Sequence, residues 1–144
     1  MLHERTQAKG MTKDFNYNKA FSRNIGWITT QEQHVLSQKR VAIAGMGGVG
    51  GNHLLTLTRL GIGKFNIADF DTFELANFNR QVGATITRLN HSKVDSLAKM
   101  ALDINPDLDI HIFADGVNDE NFDDFLGDAD LYVDGLDFFA IQAR

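Results

Sequence analysis

Short apolar runs near residues 40–44, 64–68, 108–113 and 130–134 alternate with stretches whose apolar positions recur at helical spacing, near 49–60, 91–104 and 119–126. Val41-Ala42-Ile43-Ala44 has no polar position, as expected of a strand covered on both faces. The alternation predicts a parallel sheet wound by right-handed crossovers, with helices on both faces and any site at the C-terminal ends of the strands. Leu54, Leu55, Leu57 and Leu60 form a stripe that packs the first of these helices on the sheet. Asn105-Pro106-Asp107 stops the second. Upstream, residues 26–39 have helical content, with Thr29-Thr30 capping ahead of Glu32. Residues 1–20 are polar and aperiodic, which predicts a mobile arm or a segment exchanged with a partner. The chain thus divides into an N-terminal arm and helical segment, 1–39, and an α/β domain, 40–144.

The first strand runs directly into Gly45-Met46-Gly47-Gly48-Val49-Gly50-Gly51. Glycines at a strand-to-helix turn let backbone N–H groups approach a phosphate, and the following helix adds the positive end of its dipole. Phe65-Asn66-Ile67-Ala68-Asp69 is a second short strand that ends in an acid about 19 residues past Gly50, where a Rossmann-like unit accepts hydrogen bonds from ribose hydroxyls. A bound nucleotide follows, but glycines and an acid do not separate NAD from ATP.

The polar stretch after Asp69 favours a triphosphate. Asn77 and Arg80 are three residues apart and share a face of a helical turn. Arg offers planar, multidentate donors suited to phosphate oxygens, and Lys93, opening the next helix, adds a point charge. Asp71 joins the set beside Asp69, with a solvated loop acid as its alternative reading. Asp134 and Asp137 end the last strand, where a carboxylate together with phosphate oxygens suits Mg²⁺. The five histidines, His3, His34, His53, His91 and His111, form no ligand spacing.

Composition narrows the chemistry. The 144 residues suffice for one domain with a sizeable core. The absence of cysteine excludes a catalytic thiol, a CxxC zinc site and a disulfide within this sequence. A net charge of −5 argues against nonspecific nucleic-acid binding. No long apolar run or signal segment occurs, which predicts a cytoplasmic protein without membrane attachment.

The elements GxGGxG, DxDxxxxxNxxRQ, a lysine and DxxD occur in this order from Gly45 to Asp137. Together they resemble the ThiF/MoeB/HesA family, relatives of ubiquitin-activating enzymes, over about residues 23–137. The resemblance implies an ATP-dependent adenylyltransferase that activates a carboxylate, the C-terminal glycine of a ubiquitin-like or sulfur-carrier protein, and releases pyrophosphate. It implies that Gly45, Gly47, Gly48 and Gly50 form the phosphate loop, that Asp69 holds the ribose, and that Asn77, Arg80 and Lys93 contact the triphosphate. Gln81 follows Arg80 as the family pattern requires. Asp137 resembles the magnesium acid, supported by Asp134. Arg23 is similar to an arginine that reaches ATP across a homodimer interface. Two departures stand out: Phe138–Arg144 lacks the Asn and Arg that follow the magnesium acid in many relatives, and Ala76 replaces a serine. Relatives continue through further strands, so the expectation is a sheet truncated after its fourth strand and an adenylation domain incomplete at its C-terminus. The alternatives are an NAD-dependent oxidoreductase and a non-catalytic subunit that supports an active partner. The acceptor is left open between a ubiquitin-like protein, a small carboxylate and a modified tRNA base.

Overall fold

The computed structural model describes residues 14–137. Most of the expected N-terminal arm and the Phe138–Arg144 departure lie outside the described residues. In chain order the elements are α1 (Tyr17–Ala20), a 3₁₀ turn (Ser22–Asn24), α2 (Thr30–Gln38), β1 (Arg40–Ala44), α3 (Gly50–Leu60), β2 (Lys64–Ala68), α4 (Lys93–Ile104), β3 (Asp109–Phe113), α5 (Phe122–Leu126) and β4 (Leu131–Asp134). The four strands make one parallel sheet in the order β3-β2-β1-β4. Chain order reverses between β1 and β4, which opens a crevice at their C-terminal ends.

Side-chain alternation along β1 builds the two layers. Val41 and Ile43 face α3 and α4, in a core with Leu54, Phe65, Ile67, Leu97 and Ala101. Each large side chain buried there stabilises the fold by about 1.5–3 kcal/mol. Ala42 and Ala44 face the other way, where Ala68, Phe113 and the α5 residue Phe125 cover them. Helices therefore lie on both faces, as the apolar run predicts. The leucine stripe of α3 is only partly core. Leu54 is fully buried, but Leu60 is exposed and Thr58 occupies the inner position, its hydroxyl satisfied by the Leu54 carbonyl at 2.8 Å.

Two helices begin later than their apolar pattern suggests, each for a local reason. Before α4, Asn90 takes a left-handed conformation (φ 64°) and the Ser92 side chain caps the Asp95 amide. Before α5, the Asn118 carboxamide oxygen accepts from the amides of Glu120 and Asn121, turning residues 118–121 into a local loop. At α2 the predicted cap is present. Thr29 Oγ1 accepts from the Glu32 amide at 3.1 Å, and the Glu32 carboxylate accepts from the Thr29 amide at 2.8 Å.

A buried cation closes the opposite end of the sheet. Arg40 is 5% exposed; its guanidinium pairs with Asp109 and with Asp128 at 3.1 Å, and donates to Asn66 Oδ1 at 3.0 Å. Asn66, itself fully buried, donates to the Phe125 carbonyl at 2.8 Å, so β1, β2, β3 and α5 are joined by one satisfied polar network.

Residues 14–20, part of the stretch expected as an arm, dock on this fold because their aromatic residues find a surface. Tyr17 stacks edge-on against the buried Phe21 at 4.8 Å. Its hydroxyl donates toward the Gly61 carbonyl at 2.6 Å and accepts from Gln33 Nε2 at 2.9 Å. Burial pushes the Tyr17 phenol above its ordinary value, with the Gln33 hydrogen bond opposing. The neutral phenol is the form that the fold favours. Its contribution is complete below the unfolded value of about 10 and is lost as pH rises from there through the folded value. Tyr17→Phe should lower the unfolding free energy by about 1–2 kcal/mol at neutral pH, and urea titrations above about pH 10 should show that gap narrowing.

Candidate nucleotide site

β1 delivers its last residue to the crevice through three glycines in mutual contact. Gly45 has φ +89°, and a Cβ on it would stand 2.5 Å from the Gly135 carbonyl oxygen. A Cβ on Gly50 would stand 1.6 Å from the Gly45 oxygen, and one on Gly135 would stand 2.9 Å from the Ala44 oxygen and 3.0 Å from the Gly50 nitrogen. The ends of β1 and β4 and the first turn of α3 thus meet backbone to backbone. Gly135 was not singled out from the sequence, because Asp134-Gly135-Leu136-Asp137 draws notice for its acids; its signal is a glycine immediately after a strand.

Above this contact is a cavity of about 450 Å³, within the range of small-molecule sites. Of the residues singled out in the sequence, Gly45, Gly47, Gly48, Asp69, Asp71, Arg80, Gln81, Lys93 and Asp137 line it together. Four do not. Asp134 ends β4 outside the lining. Gly50 is buried beneath the loop and serves packing. Asn77 turns its side-chain oxygen to the Glu74 amide at 2.8 Å and closes the 3₁₀ turn Leu75–Asn77. Arg23 lies in the turn Ser22–Asn24, whose Asn24 donates to the Leu60 carbonyl at the far end of α3. The cavity is at the near end, about 15 Å away along that helix.

Lys93 is the first residue of α4 and only 7% exposed, so a cation sits at the positive end of a helix dipole. The Asp71 carboxylate, 3.9 Å from its Nζ, offsets part of that charge, and the Phe73 ring lies 6.0 Å from the same nitrogen. An anion in the cavity meets Lys93 with little competition from water. Arg80 is more exposed; its guanidinium donates to the Ala76 carbonyl at 3.1 Å and to Asn79 Oδ1 at 2.9 Å, while its stem rests against Gly48. Gln81 is 7% exposed beside Gly47, and its Oε1 is buried without a hydrogen-bond partner among the described residues. Asp134, at the end of β4, accepts from the Leu136 amide at 3.0 Å. Burial, together with that carboxylate, raises the Tyr132 phenol above its ordinary value.

Sequence reasoning missed the apolar side of the cavity, formed by Val49, Phe70, Val117 and Leu136, with Gly116 packed under Phe70. These residues come from four separate segments, one after each strand, and no local pattern joins them. Among the described residues no cluster of three or more His, Cys, Asp or Glu is placed to hold a metal by itself. Asp137, exposed on the cavity wall, fits a cation that takes one carboxylate and fills its remaining positions with phosphate oxygens and water.

The fold and cavity define a class: a Rossmann-like α/β domain with a glycine loop at the switch point of its sheet. Within that class the chain belongs to the ThiF family, whose model matches residues 21–144. It is 32% identical over 112 residues to "Probable molybdopterin-synthase adenylyltransferase" of Porphyra purpurea, covering 78% of this chain and 29% of that protein. It is 40% identical over 105 residues to ubiquitin-like modifier-activating enzyme 5 of Culex quinquefasciatus, covering 71% of this chain and 25% of that protein. In fold it is similar to the crystal structure of E. coli tRNA N6-threonylcarbamoyladenosine dehydratase in complex with ATP, with a TM-score of 0.80 at 23% identity over 84% of this chain and 50% of that one. The chain thus spans half or less of the length of these relatives.

Gly50→Ala should destabilise the protein by about 1–3 kcal/mol or more, because the added methyl group meets an immovable carbonyl. Gly47→Ala, whose Cβ would meet only the Gln81 amide at 3.3 Å, should stay within about 0.5 kcal/mol. Urea midpoints of the two variants at one pH give the comparison.

Proposed function

We propose that this chain is the nucleotide-binding part of an ATP-dependent adenylyltransferase that activates a carboxylate. The observation that carries this reading is the convergence of a glycine cradle, Arg80, Lys93 and Asp137 on one cavity at the switch point of the sheet. A dinucleotide oxidoreductase would use the cradle and Asp69, but it would leave two cations and a strand-end acid beside the phosphates without a role. Family membership supports the same reading.

In the proposed reaction a carboxylate oxygen of the substrate forms a bond to the α-phosphorus of ATP, and the bond from that phosphorus to the bridging oxygen breaks. Pyrophosphate leaves with the bond electrons. A carboxylate is already ionised at neutral pH, so the protein has no proton to remove, and its task is to bring like-charged reactants together and hold them in line. The loop amides and Lys93 bind phosphate oxygens in a partly dry site, and Arg80 reaches the outer phosphates from the solvent side. Asp137 would hold Mg²⁺, which supplies further neutralisation of the triphosphate when bound. Asp69 accepts from the ribose, and Phe70 and Val117 offer apolar surface to the base.

For the acceptor we favour a protein carboxylate over tRNA. Val49, Phe70, Leu75 and Ile86 belong to the glycine loop and the β2–α4 crossover and are each more than half exposed, a composition that suits a protein partner better than a phosphate backbone. The formal charge of −5 adds to that preference. A homodimer in which Arg23 of one copy serves the site of another is consistent with the place of Arg23 outside its own cavity. No helix among the described residues is long and apolar enough to cross a membrane, and we assign the chain to the cytoplasm.

Titration calorimetry should give saturable binding of Mg·ATP and none of NAD⁺; the reverse result overturns the proposal in favour of the oxidoreductase. Arg80→Ala should weaken ATP about tenfold or more while affecting AMP less, the scale of one charged hydrogen bond. Equal losses for the two nucleotides would move Arg80 away from the outer phosphates. Asp137→Ala should reduce the part of ATP affinity that depends on Mg²⁺ and leave the urea midpoint unchanged; an unaltered Mg²⁺ dependence would remove Asp137 from the metal.

A further inference from the structure

We propose that Asp69 is a positioning residue for the phosphate-binding walls of the cavity, beyond any contact with a ribose. The proposal rests on the nucleotide reading above, yet its evidence is in the protein alone. One carboxylate oxygen, Oδ2, accepts from the Met46 amide at 2.7 Å, and the other, Oδ1, accepts from the Asp71 amide at 2.7 Å. Both bonds are short and charge-assisted. They tie two walls of different origin, the glycine loop after β1 and the crossover after β2, to one side chain at the end of β2.

What lies beyond each bond gives the carboxylate its reach. The Met46 side chain is buried in the core, 1% exposed, so the loop is fixed by its side chain below and by its amide at the side. With that amide turned toward Asp69, the donors left to cradle a phosphate begin at Gly47. On the other wall, the Asp71 carbonyl accepts from the Lys93 backbone amide at 3.0 Å, and the Asp71 carboxylate faces Lys93 Nζ. Asp69 therefore sets the height of the glycine loop and the register of the Lys93 ammonium relative to it. Only a carboxylate offers an acceptor to both amides at once. In Asp69→Asn, one backbone N–H faces a side-chain NH₂, and one wall is released.

A ligand with phosphates and no ribose separates the two roles. Calorimetry of Mg²⁺-tripolyphosphate and Mg·ATP with the wild-type chain and Asp69→Asn should show both ligands weakened about tenfold in the variant, the scale of one charged hydrogen bond. Loss of ATP affinity with tripolyphosphate unchanged within about twofold would overturn the proposal and leave Asp69 a ribose contact alone. A role in stability only would lower the melting temperature and leave the affinity of the folded fraction intact, which would overturn it equally. A second measurement needs neither variant nor ligand. In long-range HNCO spectra of the wild type, the Met46 and Asp71 amides should each show a through-hydrogen-bond coupling to the Asp69 carboxyl carbon. Absence of either coupling overturns the proposal, even where Asp69→Asn does not fold. Absence of all phosphate binding by the wild type would refute the nucleotide reading, and the two couplings would still decide whether Asp69 ties the two walls.

Discussion

The contact of Gly45, Gly50 and Gly135 is the constraint on which the site depends. Two parallel strands and a helix N-terminus converge there with no side chain between them, and a single methyl group at Gly50 would fall 1.6 Å from a carbonyl oxygen. That close approach brings the first turn of α3 down onto the strand ends. The loop amides are consequently held above the sheet and not beside it. Because the contact involves β4 as well as β1, the strand carrying Asp134 and leading to Asp137 is registered against the glycine loop by close backbone packing. The separation between a carboxylate on one side of the cavity and the cradle on the other is therefore a property of the main chain.

Charge is arranged in opposite ways at the two ends of the sheet. At the N-terminal end, Arg40 is buried and fully partnered by Asp109, Asp128, Asn66 and the Phe65 carbonyl, a network that fixes strand order and places α5. Burying a cation is costly unless its donors are satisfied, and here they are. At the C-terminal end, Lys93 is equally buried but has one carboxylate at 3.9 Å and a helix dipole of the same sign behind it. The contrast separates a cation held wholly within the fold from one that lines the cavity. It also explains why the crossover between β2 and α4 is long. It has to carry Arg80 and Gln81 over the glycine loop and return to start α4 with a lysine facing the cavity.

Much of this was legible in the residues. The continuous apolar run of β1, the glycines after it, the acid ending β2 and the capping box of α2 are local signals, and each element formed where its pattern lay. The positions set by local competition were harder to read. Asn90 and Asn118 use left-handed backbone and side-chain hydrogen bonds to delay α4 and α5, and Thr58 replaces Leu60 on the inner face of α3 because a buried hydroxyl can return its proton to the preceding turn. Asn77 illustrates the same competition at the site. Its type and spacing suit a phosphate, yet its carboxamide oxygen closes its own turn on the Glu74 amide.

The sequence by itself determined the succession of strands and helices along the chain, the glycine loop and the identity of the charged residues beside it, because periodicity, glycine content and side-chain chemistry act over a few neighbouring positions. Only the tertiary structure decided that Gly135 belongs with Gly45 and Gly50, that Phe70 and Val117 share a wall, that Asp69 bridges two loops and that Arg23 stands at the far end of α3. The first of these is set by the reversal of strand order between β1 and β4, and the next two by the pairing of β2 with β1 and β3; all join residues far apart in the chain, which no local pattern encodes.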